Sequence, residues 1–302
     1  MKRYMAILLL MLLACGSHNN PQEIIPNRHV DPNTIVAFVD MNGNFYPDNW
    51  ETSIGPYRRH SSLFLTAKRR NVLTTLTNFE KSNLNASATV LKNKKRVFIF
   101  VHGYNNSAKE SKANYDLLRT KLRLDPIQDE VIEFYWDGMV SKTMSGSAKI
   151  WFNATGYSQM AGEFGLRKIL NQISGKDIYI ISHSRGASVV LSAISNPPYA
   201  PSFRSDTERL GIQVDNPEPL AENNNNIVCL MMAPAVGEID FRQVRDYQKF
   251  RAFSKQLSAI HITVNKDDQI LNKFLNKANN FNPTTLGHDT IAYNTLNPVY
   301  KF

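Results

Sequence analysis

Cysteine is nearly absent from this chain: two occur in 302 residues, Cys15 and Cys229. That excludes a disulfide-rich scaffold and a metal centre built on several thiolates. After residue 14 there is no apolar run long enough to cross a bilayer as a helix. A Gly-rich phosphate loop, an H-E-x-x-H pair and a dinucleotide fingerprint are all missing, so no cofactor and no required metal are expected. Acidic residues are the minority, with 26 Asp and Glu against 35 Lys and Arg, for a formal charge of +9. The excess is spread in small groups: Arg58-Arg59, Lys68-Arg69-Arg70, Lys92 with Lys94-Lys95-Arg96, and Arg167-Lys168. No nucleic-acid module accompanies them, so they read as solvated surface and no nucleic-acid partner is expected.

What is present begins with Lys2-Arg3 and the apolar stretch 5–13, too short for a stable span and suited to the core of a secretory signal. It ends in Leu12-Leu13-Ala14-Cys15-Gly16, which resembles a bacterial lipobox. The resemblance implies a signal peptide over 1–14 and a diacylglyceryl group on Cys15, although Leu13 departs from the small residue often found there. Removal of the signal takes the two charges of Lys2 and Arg3 from +9 and leaves +7. It also leaves Cys229 as the one free thiol, expected to be buried in its apolar run. Residues 15–34 are rich in Asn and Pro and read as a lipidated tether. No Asp follows Cys15 and no acidic run comes after it. The resemblance therefore implies anchoring in the outer membrane, facing the periplasm.

Residues 35–93 form the next unit. The apolar stretch 35–39 meets Asn42-Gly43, a hairpin signal because both residues accept positive φ. Helical spacing of Leu65, Val72, Leu73, Leu76 and Phe79 follows. From residue 94 to 302 the pattern becomes a strand–helix alternation. Strands are expected at 96–101, 131–136, 177–182, 227–233 and 259–264, with helices at 108–123, 156–174 and after Ser184. Such alternation predicts an α/β fold with a mostly parallel central sheet and helices on both faces. Its ligands are expected beyond the carboxyl ends of the strands. Segments 138–155 and 196–226 interrupt the alternation, and each is either a roof over a pocket or an irregular surface loop.

The strongest chemical signal is Ser182-His183-Ser184-Arg185-Gly186, between an expected strand and an expected helix. It resembles the nucleophile elbow G-x-S-x-G, with Ser182 in place of the first Gly. The sharp turn requires small residues two places either side of the nucleophile, and it aims the Ser184 hydroxyl away from the sheet. It also puts the Arg185 N–H at a helix N-terminus, where it can stabilise an oxyanion. Taken alone, Ser184 is equally compatible with a plain helix cap. The second signal is the strand 97–101 followed by His102-Gly103-Tyr104-Asn105-Asn106. Together the two motifs resemble the α/β-hydrolase superfamily, in a little-characterised bacterial serine-hydrolase branch, over about residues 95–295. That resemblance implies the α/β-hydrolase fold, the Tyr104 N–H as second oxyanion donor, and a Ser–acid–His order along the chain.

Of the seven histidines, His18 and His29 lie in the tether, and His60 precedes the core. His102 and His183 sit in the motifs, where their side chains are expected to order loops. His261 is expected to pack inside a strand. His288, in a loop after the last strand, remains as general base. For the acid, Asp268 is preferred because family members commonly carry an apolar residue two places after it, here Ile270. Asp267 is the alternative and Asp240 a third. The implied activity is a serine esterase of carboxylesterase or lipase type acting on a small acyl ester. A non-catalytic binding lipoprotein that keeps the fold, and an acyltransferase, are the rival readings. Acyl length, leaving group and oligomeric state are not encoded in any recognisable feature.

Overall fold

The computed structural model describes residues 17–19, 29–31, 34–46, 81, 84–85, 87–195, 218–243, 248–268, 271, 286–288 and 290–301. The signal 1–14, Cys15, the helical spacing at 65–79 with His60, and residues 196–217 lie outside them. Seven strands and five α-helices carry the architecture of the described residues. They run β1 (His29–Asp31), β2 (Thr34–Phe38), β3 (Arg96–Val101), α1 (Ala108–Leu122), β4 (Asp129–Tyr135), α2 (Met144–Met160), α3 (Arg167–Asn171), β5 (Asp177–His183), α4 (Gly186–Ile194), β6 (Asn226–Met232), β7 (Leu257–Thr263) and α5 (Thr290–Tyr300). A π-helical stretch, Ala161–Leu166, joins α2 to α3.

The strands form one sheet in the order β1-β2-β4-β3-β5-β6-β7. β2 to β7 are all parallel, and β1 is an antiparallel edge on β2. Parallel strands covered on both faces read as continuous apolar runs. Accordingly every residue of β2 and β4 is buried. Alternate residues feed two cores. Ile35, Ile99, Ile132 and Ile180 face the layer that includes Ala154, Leu166, Val189 and Leu296 of the helices. Val36, Phe100, Val131 and Tyr135 face Ala108 and Tyr115 of α1. Helix α1 starts with a complete capping box, in which Ser107 and Glu110 each satisfy the other's backbone N–H. Helix α4 is buried all round, so it lies inside the domain and not on its surface.

β3 has β4, its successor, on one side and β5 on the other. The chain order therefore reverses direction at the β3/β5 boundary, and the crevice of such a sheet opens at the carboxyl ends of these two strands. His102-Gly103-Tyr104 leaves one of them and Ser184 the other.

Four expectations are corrected. The tether is docked at both described ends: Ser17 pairs with Val140 in an antiparallel bridge, and β1 joins the sheet. The stretch 35–46 does turn at Asn42-Gly43, with Gly43 at φ +79. However, β2 pairs in parallel with β4, so this unit is built into the central sheet. Segment 138–155 is mainly helical, as α2 starts at Met144 and buries Ile150, Trp151 and Ala154. His261 is exposed, because β7 is the last strand of the sheet and, among its seven residues, only Ile260 is buried. Cys229 behaves as expected: it is free and buried, and burial pushes its thiol up to about 12.

Candidate active site

Ser184 adopts φ +51, the left-handed region that costs an L-residue about 1–2 kcal/mol. Its backbone is held there from three directions. Its N–H donates to Met232 O at 3.0 Å, and its carbonyl accepts from Ala187 N at 3.2 Å and Ala235 N at 3.1 Å. The end of β6, the start of α4 and the loop after β6 thus over-determine the turn, which is how such strain persists.

The neighbours must be small. A Cβ on Gly186 would lie 2.5 Å from His102 O and 2.7 Å from Val101 O, both backbone atoms. One on Gly103 would lie 2.9 Å from Ser184 Cβ. Ser182 is buried between Val101 and Met231 on the flanking strands, and its hydroxyl is without a hydrogen-bond partner. A serine fits there by size, as a glycine would.

The loop after β3 is ordered by His102. Burial lowers this imidazole to about 4, so it is neutral. Its Nε2 accepts from Trp136 N at 3.2 Å, which leaves the proton on Nδ1 to donate to Gly103 O at 2.7 Å. The Trp136 indole N–H donates to His102 O, and the Tyr115 hydroxyl bridges His102 N and Phe134 O. In a trans peptide C=O and N–H point opposite ways. Fixing Gly103 O therefore fixes the Tyr104 N–H. Among the described residues, neither the Tyr104 nor the Arg185 backbone N–H has a hydrogen-bond partner. The Tyr104 ring stands edge-on against Trp151 at 4.6 Å between centroids.

The Arg185 side chain plays no part in the open crevice. It is fully buried, donates to Ala235 O at 3.0 Å and Asp240 Oδ1 at 3.3 Å, and lies over Trp151. Asp240 also accepts from Gly237 N at 2.9 Å. These bonds assign the third candidate acid to a buried ion pair.

His288 is brought to the same loops. Leu286 N donates to Val236 O and Gly287 N to Pro234 O, so the 286–288 turn is laid along the chain that also holds Ser184 O through Ala235. His288 is buried, and its Nδ1 lies 3.3 Å from Asn265 O. Asp268 uses the same carbonyl, its N–H donating to Asn265 O at 3.1 Å. Its Oδ1 accepts from Leu271 N at 3.0 Å, a capping contact. The contact at His288 Nδ1 thus goes to a carbonyl and not to a carboxylate. Asp267 is exposed. His183 is lowered by desolvation, partly offset by the negative charge of Asp268.

One participant had no signal in the sequence. His18, in a polar tract, pairs with Asp137 beside this crevice. Its partner is 119 residues away, and neither periodicity nor spacing points to it.

A parallel sheet with a strained serine elbow at its switch point defines an α/β hydrolase. A family model described as alpha/beta hydrolase of unknown function (DUF900) matches residues 79–276, and the chain belongs to that family. The match includes Tyr104, Ser184, Asp267 and Asp268 and ends before His288. Neither curated proteins nor solved structures gave a match.

Proposed function

We propose that the protein is a serine esterase, of carboxylesterase or lipase type, in which Ser184, His288 and Asp268 form the triad. The observation that carries this reading is the elbow: Ser184 at φ +51, at the β3/β5 crevice, with the Tyr104 and Arg185 backbone N–H groups of the adjoining loops without hydrogen-bond partners among the described residues. With Nδ1 turned toward Asn265 O, Nε2 of His288 is the nitrogen left to take the Ser184 proton. The Ser184 oxygen then bonds to the acyl carbon, and the Tyr104 and Arg185 N–H groups receive the oxyanion. His288 returns the proton to the departing alcohol as the C–O bond breaks. Water, deprotonated by the same imidazole, releases the acid and restores Ser184. Asp268, which shares Asn265 O with His288, orients and stabilises the imidazolium. Catalytic hydrogen bonds of this kind are often loose before substrate binds and tighten afterwards.

The test is covalent labelling of the full chain by an alkyl fluorophosphonate, with the adduct located by mass spectrometry, beside acid release from a graded panel of acyl esters. An adduct on Ser184 together with acid release is the expected result. No adduct would reject the reading. A second reading, a binding lipoprotein or an acyltransferase on the same fold, draws on the His288 contact to a carbonyl in place of a carboxylate. It predicts an adduct without release of free acid.

The lipobox resemblance extends the proposal to location: Cys15 carries the lipid, and the hydrolase faces the periplasm at the outer membrane. Each buried methylene contributes about 0.8 kcal/mol, so two or more chains anchor stably. Wild type should fractionate with membranes and incorporate labelled fatty acid, and Cys15→Ser should do neither. Soluble, unlabelled wild type would remove the anchor and leave the esterase reading untouched.

A further inference from the structure

Residues 17–19 are the first described part of the chain, and they are fastened to one place. Ser17 and Val140 exchange both backbone hydrogen bonds, each at 2.8 Å. The His18 ring pairs with the Asp137 carboxylate. Asn19, almost fully buried, donates its N–H to Asp137 Oδ1 at 3.1 Å and its side-chain amide to Trp136 O at 3.0 Å. All of these bonds end on residues 136–140.

That turn lies directly against the oxyanion loop. Gly138 O accepts from Asn105 N at 3.2 Å, and a Cβ on Gly138 would lie 3.0 Å from Tyr104 Cα and 3.1 Å from Gly103 O. Ser141 N donates to Asn105 Oδ1 at 2.6 Å. Trp136 N holds the His102 ring that in turn holds Gly103 O. The turn itself has little internal support for its acidic residue, since among the described residues the Asp137 carboxylate accepts one further backbone N–H, Met139 at 3.2 Å.

We propose that residues 17–19 are a positioning strap for the oxyanion loop, with His18 as the positioning residue. By fastening Asp137 and Val140 they press 136–140 onto 103–105 and keep the Tyr104 N–H aimed at the Ser184 crevice. The inference rests on the esterase reading for the meaning of that N–H, but the mechanical link stands on its own contacts. It also gives the proposed lipid at Cys15 a short lead: only Gly16 separates it from Ser17, so membrane attachment and the oxyanion loop share one end of the chain.

The strap is charge-dependent. His18 faces Asp137, Asp40 and the Tyr157 ring. Burial opposes the imidazolium, but the two carboxylates prevail and raise the group above its ordinary 6.5. A raised histidine contributes fully below the unfolded value and loses its contribution as pH rises through the folded one. The strap is therefore tightest below pH 6.5.

The test uses the full chain in detergent. Its two readouts are the fluorophosphonate labelling rate and hydrogen exchange at residues 103–105 and 140. His18→Ala and Ser17→Pro, which deletes the N–H that bonds Val140 O, should each slow labelling about tenfold, a fraction of the loss from deleting an oxyanion donor. Both should speed exchange at 103–105. Ser17→Ala, which keeps the backbone bridge, should match wild type in both. The ratio of wild-type to His18→Ala labelling should shrink as pH rises above 6.5. Unchanged labelling with unchanged exchange at 103–105 in His18→Ala and Ser17→Pro would overturn the strap. So would faster exchange confined to residue 140. If wild type itself is not labelled, the esterase reading fails, and exchange at 103–105 alone decides whether the strap holds the loop.

Discussion

Ser184→Ala should lower ester turnover by about 10⁴–10⁶-fold, the loss typical of removing the nucleophile from a serine triad. Fluorophosphonate labelling should disappear altogether. The fold should hardly notice. The bonds that fix residue 184 are backbone bonds to Met232, Ala187 and Ala235, and alanine keeps all three. Among the described residues the hydroxyl makes no hydrogen bond that alanine would break. The φ of +51 strains an alanine as much as a serine. Stability should therefore stay within about 1 kcal/mol of wild type. Urea unfolding and ester turnover on the same preparations give the two numbers. A variant that turns over esters at the wild-type rate rejects Ser184 as nucleophile. A variant that unfolds early would instead make Ser184 a structural cap.

This proposed separation of chemistry from scaffold also marks which parts of the fold are legible in the sequence. Elements fixed by local rules could be read directly. β4 is buried throughout, β3, β5 and β6 combine buried with half-buried positions, and all four are apolar-rich stretches followed by or ending in His-Gly, Asp-Gly, Ser-His or Ala-Pro. The elbow could be read because a close approach demands Gly186 whatever the rest of the fold does. Elements fixed by distant partners could not. Helix α2 begins Met144-Ser145-Gly146-Ser147 and contains Asn153, Thr155 and Gly156. The Ser, Gly, Asn and Thr residues among them are poor helix formers, and packing of Ile150, Trp151 and Ala154 overrides them. His261, flanked by apolar residues in a strand, has the pattern of a buried histidine, and it is exposed because that strand is the last of its sheet. The docking of residues 17–19 depends on Asp137 and Val140, which no neighbouring residue announces. For the acid, spacing favours Asp268, whose N–H donates to the Asn265 carbonyl that also lies 3.3 Å from His288 Nδ1.

Asp240 offers the sharpest contrast with Asp268, because the two carboxylates do different work. Arg185 is wholly buried, and among the described residues Asp240 Oδ1 is the one carboxylate oxygen its guanidinium reaches. Desolvation lowers Arg185, and Asp240 is the group that opposes this. Among the described residues, Asp240→Ala would leave the buried cation with only Ala235 O as hydrogen-bond partner, and would also strip the acceptor from Gly237 N. Breaking a buried ion pair from one side costs about 3–5 kcal/mol. Urea unfolding should show that loss. Arg185→Met/Asp240→Leu should recover part of it, since removing both charges spares the uncompensated desolvation. At a temperature where Asp240→Ala remains folded, its turnover should stay within about tenfold of wild type, the change reflecting the bent Ala235 segment that contacts Ser184 O. Asp268→Asn should do the reverse. Its backbone contacts to Asn265 survive and the amide oxygen still caps Leu271 N, so stability should change by less than about 1 kcal/mol. If Asp268 is the triad acid, as proposed, turnover should fall by about 10⁴-fold, the loss typical of neutralising the triad carboxylate. Asp267→Asn, on an exposed side chain, should change neither. If Asp240→Ala unfolds like wild type yet loses turnover by orders of magnitude, Asp240 is the triad acid, and the Arg185 pair is incidental to the fold.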